Sequence, residues 1–407
     1  MQMEMEEYMR DLLKEYSANE NNPKWQNMIK REKELYSHNN EMRTEFERDY
    51  TRIVHCNAYR RLKHKTQVFF SPNNDHICTR IEHVTHVESI SYTIAKYLGL
   101  NVELTKAIAT AHDIGHSPFG HQGEKILSEI SMRDIGKTFW HEKNGLEFVD
   151  KIELLEDNQK NTQNLNLTYA VRDGIVSHCG EIDENGLKPR DEYIDLNNYN
   201  KPNEYAPYTW EGCTVKIADK ISYLGRDIED AISLGILDEH LEELYELLNY
   251  GRNEVINNTV IINDLIYDLC NNSSIEKGLY FSDKMFNKIK EIKNFNYKNI
   301  YLSEKLKISI KYFELVINEI YNTLKKAYDP ENIMSKMQEM KKFYPELIIN
   351  FEEWLENYWS LQRKTNSKND VIVNIKDEKE YYNAIIYYIA GMTDNFAIEM
   401  YNKIIRF

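Results

Sequence analysis

The chain is poor in the features that would mark a secreted, membrane-spanning or nucleic-acid-coating protein. Its 407 residues hold five cysteines (Cys56, Cys78, Cys179, Cys213, Cys270), widely scattered and with no Cys-x-x-Cys pair. So odd and sparse a set excludes a disulfide framework and a zinc-thiolate site, and is expected of reduced thiols in a cytoplasmic protein. No uninterrupted apolar run is long enough to span a bilayer. The opening residues, Met1-Gln2-Met3-Glu4, are acidic where a signal peptide would be basic and then apolar, so neither a leader nor a membrane partner is expected. Positive charge is also in deficit: 51 Lys and Arg face 66 Asp and Glu, a formal net charge of −15. That balance argues against nucleic acid as the main ligand, because the phosphate backbone would be repelled from most of the surface. A local basic pocket for a phosphorylated small molecule stays compatible with it. Internal repeats and low-complexity linkers are absent as well.

What is present reads as helix almost throughout. Thr79 to Leu98 carries Ile81, Val84, Val87, Ile90, Ile94 and Leu98 on one stripe, with Gly99 where a C-terminal cap belongs. Helices are also expected over Glu41 to Arg52, from Glu103 through His112 and Asp113, over Gln122 to Ile130, Asn144 to Leu155, Thr168 to His178, and Val215 to Leu234. Gln67-Val68-Phe69-Phe70-Ser71, closed by the turn signal Pro72-Asn73-Asn74-Asp75, is the nearest thing to a strand. Asp157 to Asn166 reads as a loop. Beyond residue 236 the pattern stays helical, with breaks at Asn271 to Gly278, Asp329 to Asn332 and Thr365 to Asp370. The expected fold is all-α with minor β content, organised as an N-terminal helical extension (1–50), a core (51–235) and an accessory C-terminal helical region (236–407).

One short stretch concentrates the chemistry: Ala111-His112-Asp113-Ile114-Gly115-His116-Ser117-Pro118-Phe119-Gly120-His121-Gln122-Gly123-Glu124. Half of the twelve histidines (His83, His86, His112, His116, His121, His141) fall within residues 83–141. Imidazole and carboxylate together suit one divalent ion such as Mn, Fe, Ni, Co, Zn or Mg. His112 and Asp113 are adjacent and can lean toward an ion beside a helix axis; His116 shares a face with His112 if the helix continues that far. A further histidine and a distant carboxylate would complete four ligands and leave positions open for water and a phosphate oxygen. Spacing alone leaves His83 and His86, three apart, as equal candidates for the third ligand.

Taken together, Thr79-Arg80-Ile81-Glu82-His83, the long loop just quoted, and Ala218-Asp219-Lys220-Ile221-Ser222-Tyr223 resemble the HD-domain superfamily. Within it they are most similar to the deoxynucleoside triphosphate triphosphohydrolase (dGTPase-like) family. The resemblance continues through Asn166-Leu167-Thr168, Arg172-Asp173-Gly174-Ile175, His178-Cys179-Gly180-Glu181, Arg226-Asp227-Ile228-Glu229-Asp230 and Ala390-Gly391-Met392-Thr393-Asp394, over roughly residues 50–407. Tyr387 departs from it, standing where the family often has an acidic residue.

The resemblance implies the HD helical fold and one divalent metal held by His83, His112, Asp113 and Asp219. It implies that His121, supported by Glu124, works at the scissile bond, with His116 and His141 along the phosphate path. It also implies that Arg80 and Lys220 contact the triphosphate, that Tyr223 and Asp227 hold the deoxyribose, and that Gln67 lies near the sugar or base. The implied reaction takes a dNTP to deoxynucleoside and tripolyphosphate. A dNTP activator and a homo-oligomer, tetramer or hexamer, are implied by the resemblance alone.

These residue types suit that reaction. A triphosphate carries about four negative charges, which a metal with Arg80 and Lys220 would offset as the α-phosphorus is attacked. The 5′-oxygen is a poor leaving group that benefits from a proton, which His121 can supply while Glu124 keeps the imidazole protonated; direct nucleophilic attack by His121 is the alternative. Crowding of the 2′-carbon by Tyr223 would favour deoxyribose. Competing readings are another HD phosphohydrolase, acting on monophosphates or alarmones, and a non-catalytic nucleotide sensor. His178 and Glu181 read equally as supports of the site or as loop packing, and Asp394 as a helix cap. The lysine run Lys284, Lys288, Lys290, Lys293, Lys298 reads first as a solvated face.

Overall fold

The computed structural model describes residues 13–35, 40–70, 74–178, 185–251 and 256–406. Ser71, Pro72 and Asn73 of the expected strand and turn, Cys179 and Glu181 lie outside these. The N-terminal half contributes α1 (Trp25–Met28), α2 (Glu45–His55), α3 (Asn57–Arg61), α4 (Arg80–Leu98), α5 (Val102–Ala111), α6 (Gly120–Asp134), α7 (His141–Glu147), α8 (Tyr169–Ser177) and α9 (Trp210–Ser233). The C-terminal half adds α10 (Leu241–Leu248), α11 (Asn258–Asn272), α12 (Asp283–Asn296), α13 (Glu304–Lys325), α14 (Ile333–Met340), α15 (Pro345–Leu355), α16 (Glu378–Ala390) and α17 (Asp394–Ile405). The all-α class expected from the sequence is what the chain adopts.

Local chemistry explains most of the boundaries. Thr79 starts α4 through a reciprocal cap: its N–H donates to Glu82 Oε2 (2.7 Å) and its hydroxyl lies 2.9 Å from the same oxygen. Gly99, at φ 75°, closes α4 in the left-handed conformation open to glycine. Val84, Val87, Ile90, Ile94 and Leu98 are buried as their spacing predicts, each worth roughly 1.5–3 kcal/mol of transfer free energy. Helix α2 begins at Glu45 and not at Glu41, because Thr44 Oγ accepts the Glu47 N–H and Glu47 returns the bond to the Thr44 N–H (2.9 Å). Helix α9 starts five residues before the expected Val215, where the Thr209 hydroxyl accepts the Gly212 N–H (3.0 Å).

Two expectations are corrected. Residues 67–70 form no strand; only Thr66 makes an isolated bridge, to Thr79. The carbonyls of Thr66 and Gln67 instead accept hydrogen bonds from the Arg80 guanidinium, both 3.1 Å. The one sheet among the described residues is a hairpin of β1 (Leu154–Glu156) and β2 (Thr162–Asn164), antiparallel with Leu154 opposite Asn164. It takes the end of the helix expected over Asn144 to Leu155 and most of the expected loop. The Asp157 carboxylate closes it by accepting the N–H groups of Gln159 and Asn161, both 2.8 Å.

In the interior, α4 packs on α5 and α9, and α5 also meets α2 and α8. Helix α13 crosses back onto α6, α16 and α17, so the end of the chain lies against the helix that follows the histidine-rich loop. Cys56, Cys78, Cys213 and Cys270 are buried free thiols. No helix of the described residues is long and apolar enough to cross a membrane.

Candidate active site

Polar groups from both halves of the chain converge on one cavity of about 590 Å³. From the first turn of α4 come Arg80 and His83, both buried; the half-buried His86, one turn on, is not among the groups that converge. Spacing left these two histidines equivalent and the resemblance favoured His83; the rotation of α4 brings His83, and not His86, to the cluster. Helix α5 ends at Ala111, so His112 caps it instead of continuing it, and the expected shared helical face of His112 and His116 is not formed. His112 Nδ1 is hydrogen-bonded to the Ala109 carbonyl (2.6 Å), which assigns its proton to Nδ1 and turns the Nε2 lone pair inward. Asp219 comes from the middle of α9, where Ser222 Oγ donates to its carbonyl (2.8 Å) and lies 3.2 Å from His83 Nδ1.

The resulting cluster is tight. His83 Nε2 lies 2.9 Å from Asp219 Oδ1 and 3.7 Å from Asp113 Oδ2. His112 Nε2 lies 3.5 Å from Asp113 Oδ1 and 3.8 Å from Asp219 Oδ1. Donors about 2.1 Å from one ion are separated by about 3 to 4 Å, so these spacings fit a single divalent cation. His112 Nε2 is buried with no hydrogen-bond partner, so its lone pair is available to a cation. Burial alone would raise the Asp113 carboxyl, but His116, His112 and Arg80 hold it well below the ordinary range, so it stays anionic. Arg80 supplies the direct pair, Nη1 to Asp113 Oδ2 at 2.7 Å.

A second group adjoins the first. His116 Nδ1 approaches Asp113 Oδ1 (3.1 Å), and its ring lies over that of His141 with centroids 3.8 Å apart. Burial, followed by Arg80, holds His116 far below the usual histidine value and so neutral. Glu124 links His121 and His141: one oxygen accepts the His141 N–H (2.9 Å), while the other lies 3.1 Å from His141 Nδ1 and 3.3 Å from His121 Nδ1. The three histidines and Glu124 thus form a connected set, with His121 the most exposed. Gly115 is required here, since a Cβ would sit 2.1 Å from the His141 carbonyl oxygen.

The cavity wall also carries Gln67, Lys220, Tyr223 and Asp227, all expected from the sequence. Asp227 is buried, accepts the Tyr301 hydroxyl, and has its carboxyl pushed up from 3.8 to about 7, chiefly by burial. Further wall residues had not been anticipated. Lys216 lies on the α9 face that bears Asp219, Lys220 and Tyr223, so helical spacing was enough to find it. Tyr301, Lys305 and Phe313 arrive from the C-terminal half, and no local pattern marks them. Lys293 corrects the solvated-face reading of its lysine run: it lines the cavity, whereas the exposed Lys298 pairs with Glu243 (3.6 Å). His178 joins the site. Like His112 it caps its helix, bonds Nδ1 to a carbonyl three residues back (Ile175, 2.7 Å) and leaves Nε2 buried and unpartnered.

The HD-domain profile matches residues 80–224, the span that begins at Arg80 and ends just past Tyr223. A deoxyguanosinetriphosphate triphosphohydrolase-like protein of Desulfatibacillum aliphaticivorans is 34% identical over 368 residues, which cover 89% of this chain and 88% of that protein. A protein of the same description from Rickettsia bellii is 34% identical over 384 residues, covering 89% and 92%. Another, from Caldanaerobacter subterraneus subsp. tengcongensis, is 31% identical over 366 residues, covering 89% and 86%. The chain belongs to the HD-domain dGTPase-like family. All four residues of the tight cluster lie inside the HD match, as do His116, His121, Glu124, His141 and His178. Asp227, Lys293, Tyr301 and Lys305 lie outside it, so one wall of this family member's cavity is built beyond the HD domain proper.

Proposed function

We propose that this protein hydrolyses a deoxynucleoside triphosphate to deoxynucleoside and tripolyphosphate. The observation that carries the reading is that a single cavity joins a cation-ready His/Asp cluster, a wall of Arg80, Lys216, Lys220 and Lys293, and a pocket bounded by Tyr223, Asp227 and Tyr301. Positive groups and hydroxyl-bearing aromatic residues lining one cavity suit a triphosphate joined to a sugar. His83, His112, Asp113 and Asp219 would hold one divalent ion, which when bound supplies Lewis-acid polarisation of a phosphoryl oxygen.

The chain's own residues account for the remaining steps. Arg80 and the lysines hold the phosphates. Tyr223 crowds the sugar's 2′-carbon, while Asp227 and Tyr301 offer hydrogen bonds to its hydroxyl. Water attacks the α-phosphorus, the bond from phosphorus to the 5′-oxygen breaks, and His121 gives that oxygen its proton. Glu124 sets the orientation of His121 through Nδ1, and the neutral His116 beside Asp113 lies on the phosphate path. Copies of the chain assemble in this reading, as tetramer or hexamer, with a dNTP activator as a further ligand.

The test is product analysis on the purified chain, each dNTP singly and in mixtures, with Mn or Mg. The expected products are deoxynucleoside and intact tripolyphosphate, lost in Asp113→Ala. Release of phosphate or pyrophosphate would move the protein to another hydrolase reaction, and tight nucleotide binding without turnover would make it a sensor. Activity confined to mixtures would demonstrate the activator, and light scattering reads the assembly.

A further inference from the structure

The turn that launches α6 is held from the far end of the chain. Phe119 is left-handed, at φ 64° and ψ 24°, and so is the next residue, Gly120, at φ 58°. For a bulky side chain this conformation is unfavourable by roughly 1–2 kcal/mol and persists only where surrounding structure imposes it. The Phe119 N–H donates to Asp394 Oδ1 at 2.8 Å. Asp394 Oδ2 accepts the Thr66 N–H, also at 2.8 Å. Asp394 does not cap α17, as the sequence suggested; Thr393 does that, its hydroxyl accepting the Phe396 N–H (3.2 Å). Both oxygens of a carboxylate only 4% exposed therefore serve two segments that lie 328 and 275 residues away.

Neighbouring contacts make the same connection. The buried Lys65 ammonium donates to the carbonyl of His116 and to that of Ala390 (2.8 Å), joining the histidine loop to the end of α16. The Phe119 ring stacks on Phe313 of α13 with centroids 4.3 Å apart and planes within 6°. His121 and Glu124 follow within five residues, and their direction is set by this turn. The tight cluster of His83, His112, Asp113 and Asp219 stands on α4, α9 and the end of α5, and meets these contacts through Arg80, which donates to the Thr66 carbonyl (3.1 Å) and to Asp113 Oδ2 (2.7 Å).

We propose that Asp394 is a positioning residue for the reaction: it holds the left-handed turn at Phe119 and thereby sets His121 against the reacting bond. The inference rests on the dNTP-hydrolysis reading for its kinetic effect, and it predicts a structural signal that does not depend on any substrate. In Asp394→Ala, kcat falls about 10²-fold, as expected of a misplaced proton donor, while KM and Mn affinity stay within about threefold. Asp394→Asn, which keeps one acceptor oxygen, loses less. In a Phe119→Gly background, where the left-handed conformation has no steric cost, Asp394→Ala costs at most about tenfold. The substrate-free readout is the imidazole resonance of His121 in histidine-labelled protein, assigned by its loss in His121→Gln: it shifts in Asp394→Ala while that of His83 does not.

An unmoved His121 resonance, or kcat within about threefold of wild type in folded Asp394→Ala, overturns the inference. So does a parallel fall in kcat, Mn affinity and melting temperature, which is the mark of a merely structural residue. Should wild type hydrolyse no dNTP, the reading of the site fails on that result alone, and the resonance test still decides whether Asp394 places His121.

Discussion

The two halves of the cavity are built by different means. The His83, His112, Asp113 and Asp219 cluster rests on regular helices and their ends, with the His112 ring fixed by a bond to the carbonyl three residues back and Asp113 paired with Arg80. The His121 and Glu124 pair rests on a strained turn that a distant carboxylate and a distant phenyl ring hold in place. The first arrangement is robust because a helix specifies its own side-chain directions. The second is conditional on contacts with distant segments, and it meets the first through His116 and Arg80, both of which touch Asp113.

The largest expected effect falls on the cluster. Asp113→Ala removes a ligand and the anion facing Arg80, so Mn affinity and turnover should both drop by about 10³-fold or more, read by metal titration and single-turnover kinetics. His121→Gln should separate the halves: kcat falls about 10² to 10⁴-fold with Mn affinity unchanged. A matching loss of metal affinity there would show that the halves are one unit. Next comes His178, which adjoins the cluster without belonging to the expected ligand set. His178→Ala should lower Mn affinity by less than about tenfold, whereas a loss equal to that of Asp113→Ala would make it a full ligand. Lys293→Ala tests the wall built outside the HD match; KM should rise about tenfold with kcat little changed.

The smallest effect is one of pH. The Asp227 carboxyl titrates at about 7 in the folded protein against an ordinary 3.8, because its charged form is buried. Folding therefore favours its protonated state. Its contribution is fully present below pH 4, declines as pH rises to about 7, and is constant above that. Melting temperatures of wild type and Asp227→Asn, taken in chelator, should shift in the variant's favour across that window. A pH-independent difference would mean that burial does not hold the acid protonated.

Helical spacing and capping residues were enough to read α4, α8, α9 and the all-α class, since these depend on neighbours three or four positions apart. A short loop dense in histidine, aspartate and glycine marked His112 and Asp113 by itself, whereas His83 and Asp219 were named through the family resemblance. Spacing could not choose His83 over His86; the packing of α4 on α9 brings only His83 to the cluster. A hairpin stands where helix and loop were expected, because Asp157 closes a turn by accepting two backbone N–H groups on its carboxylate, which composition does not display.

By itself, then, the sequence determined most of the helices and marked the loop of His112 and Asp113, which are local properties of the chain. Only the tertiary structure decided the cationic wall from Lys293, the partnership of Asp227 with Tyr301, and the assignment of Asp394 to Phe119 instead of to its own helix. Each of these depends on segments tens to hundreds of residues apart, and contact between such segments is settled by how the helices pack, which no short-range period encodes.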